Sequence, residues 1–232
     1  MMGGYMNKKI IAIYILNEVL SLAGMGVALF WSAGRLDWWA GWGAIVVMFF
    51  WLAGVGLVNL HFQPGLLAER LKPPKGARSW DKVIVSMVRL AQLARYILAG
   101  LDLRYGWTGG FPMALQIAAL MVGLLSVALF VWAMASNRFF SQIVRIQADR
   151  GHAVATAGPY RYVRHPGYAG SIVLELALGV LLASWWGLFA SGICAVLLVV
   201  RTALEDRTLQ AELTGYADYA GKVRYRLVPG IW

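Results

Sequence analysis

Long apolar runs separated by short polar stretches make up most of this chain. A helix that crosses a bilayer needs ~20 consecutive apolar residues, because it rises ~1.5 Å per residue through a hydrocarbon core of ~30 Å. Four runs reach about this length, and each predicts one transmembrane helix. They lie at residues 10–31, 38–60, 83–101 and 112–135.

A fifth apolar tract covers residues 168–200. As a single helix it is ~50 Å long, which is more than one crossing needs. The sequence Ser184-Trp185-Trp186-Gly187 lies near its middle. Paired tryptophans favour the membrane interface, and glycine permits a turn. We therefore predict a helical hairpin with arms of roughly 16 to 18 residues, each short for a full crossing.

These runs predict an all-α fold, a polytopic transmembrane helical bundle of five to six membrane helices with a C-terminal helical hairpin. We expect one membrane domain over residues 1–232, with four spans in residues 1–135 and a polar loop, the hairpin and a tail in residues 136–232. Six crossings leave both termini on one side of the membrane. Most basic residues lie on that side, with Arg35 and Arg104 opposite, so the positive-inside rule makes it the cytoplasmic side.

Composition excludes several classes of protein. Of the 232 residues, 60% are hydrophobic and 14% are charged, which excludes an ordinary water-soluble enzyme. The net charge of +10 is not gathered in one dense block, so we expect no nucleic-acid partner. The one cysteine, Cys194, lies in an apolar run, and His61 and His152 have no second ligand at a metal spacing. We therefore expect neither a disulfide framework nor a metal site.

Polar residues gather in the last third of the chain. Residues 158–170 contain two prolines, three glycines, three tyrosines, two arginines and one histidine, directly before the hairpin. Proline fixes the local backbone and glycine allows another group to approach closely, so this segment can cradle a polar ligand. The hairpin returns to the side on which it began and brings His165 near Glu205, whereas a single helix would hold them ~50 Å apart.

A family resemblance rests on these same residues. The run Arg164-His165-Pro166-Gly167-Tyr168-Ala169-Gly170 resembles the Arg-His-Pro-x-Tyr-x-Gly signature of the isoprenylcysteine carboxyl methyltransferase and phospholipid methyltransferase superfamily. The similarity continues through Glu205-Asp206, Tyr216-x-x-Tyr219 and residues 223–232, and so covers residues 158–232. It implies an integral membrane methyltransferase that uses S-adenosylmethionine, with residues 136–232 as the part that binds this cofactor.

The resemblance also implies which residues hold the cofactor. In the family, the Arg-His-Pro loop and an acidic pair bind it, which implies binding roles for Arg164, His165, Tyr168, Gly170, Glu205 and Asp206. The family pair is commonly Glu-Glu, so Asp206 departs from the pattern. The chemistry is compatible, because His165 or Arg164 can meet the cofactor's carboxylate while Glu205 and Asp206 accept from its ribose or ammonium. Tyr168 can flank the adenine or the sulfonium.

Charged residues in or beside the spans are candidates for catalysis. Glu175 lies at membrane depth, where an ionisable residue is a functional candidate by default. Arg201 stands four residues before the acidic pair, a spacing that fits either an intrahelical ion pair or a substrate-binding role. We take Glu175 and Arg201 as the candidate catalytic residues. For Glu18, the favoured interpretation is pairing with Arg89 or Arg95 inside the bundle.

The methyl acceptor follows from the resemblance and from the apolar surroundings. We expect a lipophilic molecule that enters from the bilayer, either the carboxylate of an isoprenylated cysteine or the amine of a phospholipid. A carboxylate is already ionised near neutral pH and needs no general base. An amine must lose a proton, and Glu175 or Glu205 could take it.

Two other functions stay open, and the oligomeric state is not determined. Membrane sterol reductases, which use NADPH, resemble the C-terminal region too, but they tend to carry Asn where this chain has Gly167. The third possibility is a non-catalytic membrane protein or a small transporter. Transporters usually place ionisable groups at the midplane of two repeated halves, whereas here the polar cluster lies at one face of one half.

Overall fold

The computed structural model describes residues 8–61, 76 and 78–232. The described residues form seven α-helices. They are α1 (Lys8–Ala33), α2 (Trp39–His61), α3 (Ser79–Tyr105), α4 (Met113–Ala135), α5 (Pro166–Leu181), α6 (Trp185–Glu212) and α7 (Tyr216–Lys222). Two short 3₁₀ turns, Ala148–Arg150 and Gly158–Arg161, lie between α4 and α5. The prediction of an all-α fold is confirmed.

Five of the helices in the described residues are long and apolar enough to cross a membrane, namely α1 to α4 and α6. The four runs predicted as spans each correspond to one of the first four helices. Helix α3 is longer than its apolar run because it continues at both ends into charged residues, from Ser79 to Tyr105. These helices are typical of an integral membrane protein.

The predicted hairpin is present, but one of its arms is longer than expected. Helix α5 has 16 residues, whereas α6 has 28 and continues past Val200 to Glu212. The predicted length was wrong for α6 because hydropathy marks where the apolar zone ends, and a helix can continue into water. The turn between the arms contains Ala183 at a φ of 56°, and the Ser184 hydroxyl accepts from the Gly187 N–H to begin α6.

Small residues allow the helices to pack closely. A Cβ added to Gly100 of α3 would lie 2.7 Å from the Leu29 carbonyl oxygen of α1. A Cβ added to Gly170 of α5 would lie 3.0 Å from the Ser126 carbonyl oxygen of α4. Without a hydrophobic driving force between helices in lipid, such close approach is the main source of packing energy.

Polar contacts mark the two ends of the bundle. We call the end that carries the α5–α6 turn the turn end, and the opposite end, with residues 136–165 and 213–232, the loop end. At the turn end, buried Asp102 accepts from the Thr108 N–H and hydroxyl at 2.7 and 2.5 Å and from the Ser184 hydroxyl at 2.5 Å. These bonds tie the end of α3 to the hairpin.

Candidate functional site

A cavity of about 390 Å³ occupies the loop end and extends between the helices. Its volume is within the range of small-molecule sites, ~300–1,000 Å³. The charged residues of its lining are four arginines and two glutamates. They are Arg89, Arg145, Arg164, Arg201, Glu18 and Glu205. Trp51, Leu52, Val55 and Phe130 give one side an apolar wall.

Asp206 is the centre of a buried polar network at the loop end. The residue is fully buried, and Arg164 holds both of its carboxylate oxygens, with Nε at 2.8 Å and Nη2 at 3.0 Å. Arg226 Nε and Gln210 Nε2 donate to Oδ2 at 2.8 and 2.7 Å. The Tyr216 hydroxyl donates to Oδ1 at 3.0 Å. Protein groups fill the acceptor positions of Asp206. This residue therefore fixes the neighbouring side chains and does not itself line the cavity.

Arg164 is similarly committed to the protein. Its Nη1 donates to the carbonyl oxygens of Val223 and Arg224 at 2.7 and 2.8 Å, in addition to its two bonds with Asp206. A guanidinium has five N–H groups, so at most one remains for a ligand. Burial opposes the charge of Arg164, but the hydrogen bonds and charge of Asp206 raise its pKa above the ordinary value. Arg164 therefore remains a cation that joins the loop to the tail.

His165 lies at the edge of this network and borders the cavity. Its Nε2 is 3.2 Å from Asp206 Oδ1 and 3.2 Å from the Tyr216 hydroxyl. The backbone N–H groups of Arg164 and His165 donate to the carbonyls of Tyr225 and Arg226, both at 2.9 Å. The tail thus holds the Arg-His-Pro segment in place while the imidazole faces the cavity.

Two buried tyrosines complete this wall. Burial raises the pKa of Tyr219 to about 12, and the Tyr219 hydroxyl donates to the Tyr160 carbonyl at 2.7 Å. Burial, followed by the charge of Asp206, raises the pKa of Tyr216 well above its ordinary value. Both hydroxyls therefore stay protonated across the neutral range and serve as fixed donors.

Glu205 and Tyr168 form the acidic part of the cavity. The Tyr168 hydroxyl donates to Glu205 Oε2 at 2.5 Å, and both residues line the cavity. Glu205 is half-buried, in contrast to the fully buried Asp206 beside it. Its second oxygen is therefore the acceptor that a ligand could use. The two acidic residues predicted as a pair point to different partners because successive residues of a helix lie ~100° apart.

Arg201 joins three parts of the structure at the cavity edge. Its Nε donates to Asp81 Oδ1 at 2.7 Å, and its Nη2 donates to the Gln142 carbonyl at 2.7 Å. The guanidinium also lies over the Tyr168 ring, 5.5 Å from the centroid. Of the two interpretations that the spacing left open, the intrahelical ion pair is replaced by these contacts, and Arg201 lines the cavity.

Glu175, a candidate catalytic residue from the sequence, is paired inside the bundle. It forms a buried ion pair with Arg95 of α3, and Gln92 Nε2 donates to it at 2.7 Å. The cavity lining includes Gln92 and does not include Glu175. The structure therefore pairs Arg95 with Glu175, whereas the sequence favoured a pair of Glu18 with either Arg89 or Arg95.

The two glycines of the Arg-His-Pro segment differ in position. Gly167 lines the cavity, and an added Cβ there would lie 2.9 Å from the Phe140 ring. Gly170 faces α4, where it allows the close contact with Ser126. Its place is in helix packing, outside the cavity lining.

Several residues of the site carried no assignment from the sequence. Tyr216 belongs to the quoted Tyr-x-x-Tyr pattern, which could have signalled its role. Asn137, whose Nδ2 donates to the Tyr160 hydroxyl at 3.3 Å, lies in the polar loop without a motif. Asp81 lies in the first turn of α3, far from the other site residues in sequence, and only the folded chain reveals its contact with Arg201.

Comparison with known proteins gives a family match over a segment that includes the Arg-His-Pro residues, Glu205 and Asp206. Residues 117–211 match the model of the isoprenylcysteine carboxyl methyltransferase family. The chain is also similar to the probable protein-S-isoprenylcysteine O-methyltransferases of Oryza sativa subsp. indica and of Oryza sativa subsp. japonica. Identity with each is 25% over 141 residues, which are 58% of this chain and 71% of the rice protein.

Proposed function

We propose that this chain, a methyltransferase of the isoprenylcysteine carboxyl methyltransferase superfamily, transfers a methyl group from S-adenosylmethionine to the carboxylate of an isoprenylated cysteine. The observation that carries the proposal is one cavity with two characters. Its loop end is polar and carries paired charges, and the wall formed by α2 and α4 is apolar. Such a cavity can hold a charged donor and a lipophilic acceptor together.

The donor set at the loop end fits S-adenosylmethionine. The free oxygen of Glu205 can accept from the ribose hydroxyls or the ammonium, and Arg145 or His165 can meet the carboxylate. Tyr168, Tyr216 and Phe140 supply flat surfaces for the adenine. When bound, the cofactor supplies a methyl group on a sulfonium, so the protein's task is to align the acceptor and to exclude water.

The acceptor wall fits a prenyl chain. Trp51, Leu52 and Val55 of α2 and Phe130 of α4 line it. A carboxylate is ionised near neutral pH, so its methylation needs no general base. Glu175 is then not required as a general base. Its buried ion pair with Arg95 is compatible with this chemistry.

We place the loop end on the cytoplasmic side, where S-adenosylmethionine is available. Basic residues concentrate at this end, among them Arg78, Arg138, Arg161 and Arg207, and they favour the cytoplasmic side by the positive-inside rule. Cysteine-scanning accessibility from the two faces of sealed vesicles tests this orientation. Labelling of residue 161 from the outside would contradict it.

Binding of the cofactor is tested by titration of the detergent-solubilised protein with S-adenosylhomocysteine. We expect Glu205→Gln to weaken binding by roughly 100-fold, because a charged acceptor in a water-poor site is lost. Glu212→Gln is the matched control, since Glu212 lies on the same helix and pairs with exposed Arg78 away from the cavity. Equal affinities of the two variants, or stabilisation of the wild type by NADPH alone, would contradict the proposal.

The acceptor is tested with methyl-labelled cofactor and a choice of substrates. N-acetyl-S-farnesylcysteine should be labelled in a base-labile ester, whereas its methyl ester should be inert.

One observation favours a second candidate acceptor, a zwitterionic phospholipid amine. Glu18 of α1 and Arg89 of α3 both line the cavity, and together they could hold an ammonium and a phosphate. Label in N-methylated phosphatidylethanolamine would select that acceptor.

A further inference from the structure

We propose that Asp81 is a positioning residue that holds residues 141–146 against the cofactor end of the cavity. This inference rests on the proposed function. Asp81 is fully buried in the first turn of α3. Its Oδ1 accepts from Arg201 Nε at 2.7 Å, and its Oδ2 accepts from the Val144 backbone N–H at 2.9 Å. One carboxylate thus joins α3, α6 and the polar loop.

The contact to the loop is doubled through Arg201. While its Nε is held by Asp81, its Nη2 donates to the Gln142 carbonyl at 2.7 Å. The segment is therefore held at Gln142 by Arg201 and at Val144 by Asp81, two residues apart. All six residues from 141 to 146 line the cavity. A movement of this segment therefore changes the shape of the site directly.

A second connection runs from Asp81 to the acidic part of the cavity. The guanidinium that Asp81 orients lies over the Tyr168 ring, and the Tyr168 hydroxyl donates to Glu205. Among the described residues, Asp81 stands outside the cavity lining, so its effect on a ligand passes through Arg201 and the loop. Neither the Arg-His-Pro signature nor the segment matched by the family model includes this residue.

The charge and the acceptor character of Asp81 are both needed. An amide at this position presents one oxygen and one NH₂ group to two donors, Arg201 Nε and the Val144 N–H. One of those two donors then faces the NH₂ group, which is also a donor. The Arg201 guanidinium also loses its counter-charge. We expect one of two results. Either the loop detaches at Val144, or the Arg201 side chain turns away from Tyr168. In either case the cofactor end widens.

Asp102 of the same helix provides a matched control. It is 3% exposed and accepts three hydrogen bonds, but its partners are Thr108 and Ser184 at the turn end. Asp102→Asn therefore removes a buried carboxylate from α3 without touching the cavity. A loss of function that only reflects a weakened helix appears in both variants.

The experiment compares Asp81→Asn, Asp102→Asn and the wild type in detergent. We expect Asp81→Asn to raise Kd for S-adenosylhomocysteine and KM for the cofactor by roughly 10- to 100-fold, with a smaller change in kcat. Asp102→Asn should stay within about twofold of the wild type. Amide hydrogen exchange should become faster at residues 141–146 in Asp81→Asn alone. Equal Kd values for the two variants would overturn the inference.

The outcomes separate this inference from the proposed function. A wild type that binds no S-adenosylhomocysteine contradicts the proposed function, whereas hydrogen exchange at residues 141–146 still tests the role of Asp81. If Asp81→Asn does not yield folded protein, Asp81→Glu and Asp102→Glu replace the pair. The longer glutamate side chain of Asp81→Glu keeps the charge but displaces the loop, so Kd should rise for that variant alone. An unchanged Kd would overturn the inference.

Discussion

Helix α3 is fastened at both ends by a buried aspartate, yet the two aspartates have different partners. Asp102, at the turn end, accepts from hydroxyls and a backbone N–H of two neighbouring turns. Asp81, at the loop end, accepts from a guanidinium on α6 and from the loop that lines the cavity. Burial is the same, but the consequences differ because only the partners of Asp81 border the site.

The contrast extends to the two ends as a whole. At the loop end, arginines surround carboxylates, as in the contacts of Arg164 and Arg226 with Asp206. At the turn end, Asp102 is met by neutral donors. The arginines balance the charge of the buried carboxylate and donate several N–H groups from planar guanidiniums, so the loop end can hold a polar cavity in a fixed shape. The turn end needs only to close a hairpin.

The largest effect is expected from Asp206→Asn. The substitution leaves the four residues that donate to Asp206, which are Arg164, Arg226, Gln210 and Tyr216, facing an uncharged amide in a buried site. We expect a loss of about 3–5 kcal/mol of unfolding free energy, together with loss of cofactor binding. Thermal unfolding in detergent measures the first and calorimetric titration the second. Asp218→Asn, on the exposed face of α7, is the control and should change neither. A variant as stable as the wild type would show that the network is dispensable.

Gly170→Ala tests helix packing beneath the site. Its new methyl group would lie 3.0 Å from the Ser126 carbonyl oxygen and 3.2 Å from the Phe130 nitrogen of α4. Because backbone atoms cannot yield easily, we expect destabilisation of about 1–3 kcal/mol. Gly192→Ala on α6 is the control, since no atom lies within 4 Å of the added carbon. If both substitutions leave the unfolding temperature unchanged, α4 and α5 do not pack as closely as described.

Tyr216→Phe removes one donor from Asp206 and keeps the ring. A hydrogen bond to a charged group contributes roughly 1.5–3 kcal/mol, and four other donors remain, so we expect the lower end of that range. His165 loses a contact at the same time, so cofactor affinity should fall by a few-fold. Tyr225→Phe, at a more exposed site beside the network, serves as control. The cofactor affinity of the wild type should stay constant from pH 7 to 9, because the raised pKa of Tyr216 keeps its hydroxyl protonated.

The smallest effect is expected from Ser184→Ala at the turn end. It removes the hydroxyl that donates to Asp102 and accepts from the Gly187 N–H, at a cost of about 1 kcal/mol. Cofactor affinity should not change, because the cavity lies at the other end. Ser126→Ala, whose buried hydroxyl only bonds back along α4 to Val122 and which lies outside the cavity lining, is the control. Weaker cofactor binding in Ser184→Ala would break the distinction between the two ends.

Much of the fold was available from the sequence. Four spans and the hairpin follow from runs of apolar residues, because the bilayer requires every spanning segment to be apolar and helical. The end of α6 was not available. Arg201, Glu205 and Asp206 continue the helix because each finds a partner at the loop end, and such partners lie far away in sequence.

Part of the site could be predicted from the sequence. The sequence brought together Arg164, His165, Tyr168, Glu205 and Asp206, and all except Asp206 line the cavity. It placed Asp206 beside Glu205 in one binding role, whereas the structure gives Asp206 to the network behind the site. The binding roles of these five residues stay predictions. So do the binding role of Gly170 and the catalytic roles of Glu175 and Arg201.

The sequence by itself determined a membrane-embedded helical bundle with its polar chemistry at one end, because hydropathy and short motifs are local properties of the chain. Tertiary structure decided which charge faces which. Arg95 meets Glu175, Arg201 meets Asp81, and Arg164 meets Asp206. The partners in these pairs lie 42 to 120 residues apart along the chain. Pairing over such distances depends on how helices pack, and no local pattern records it.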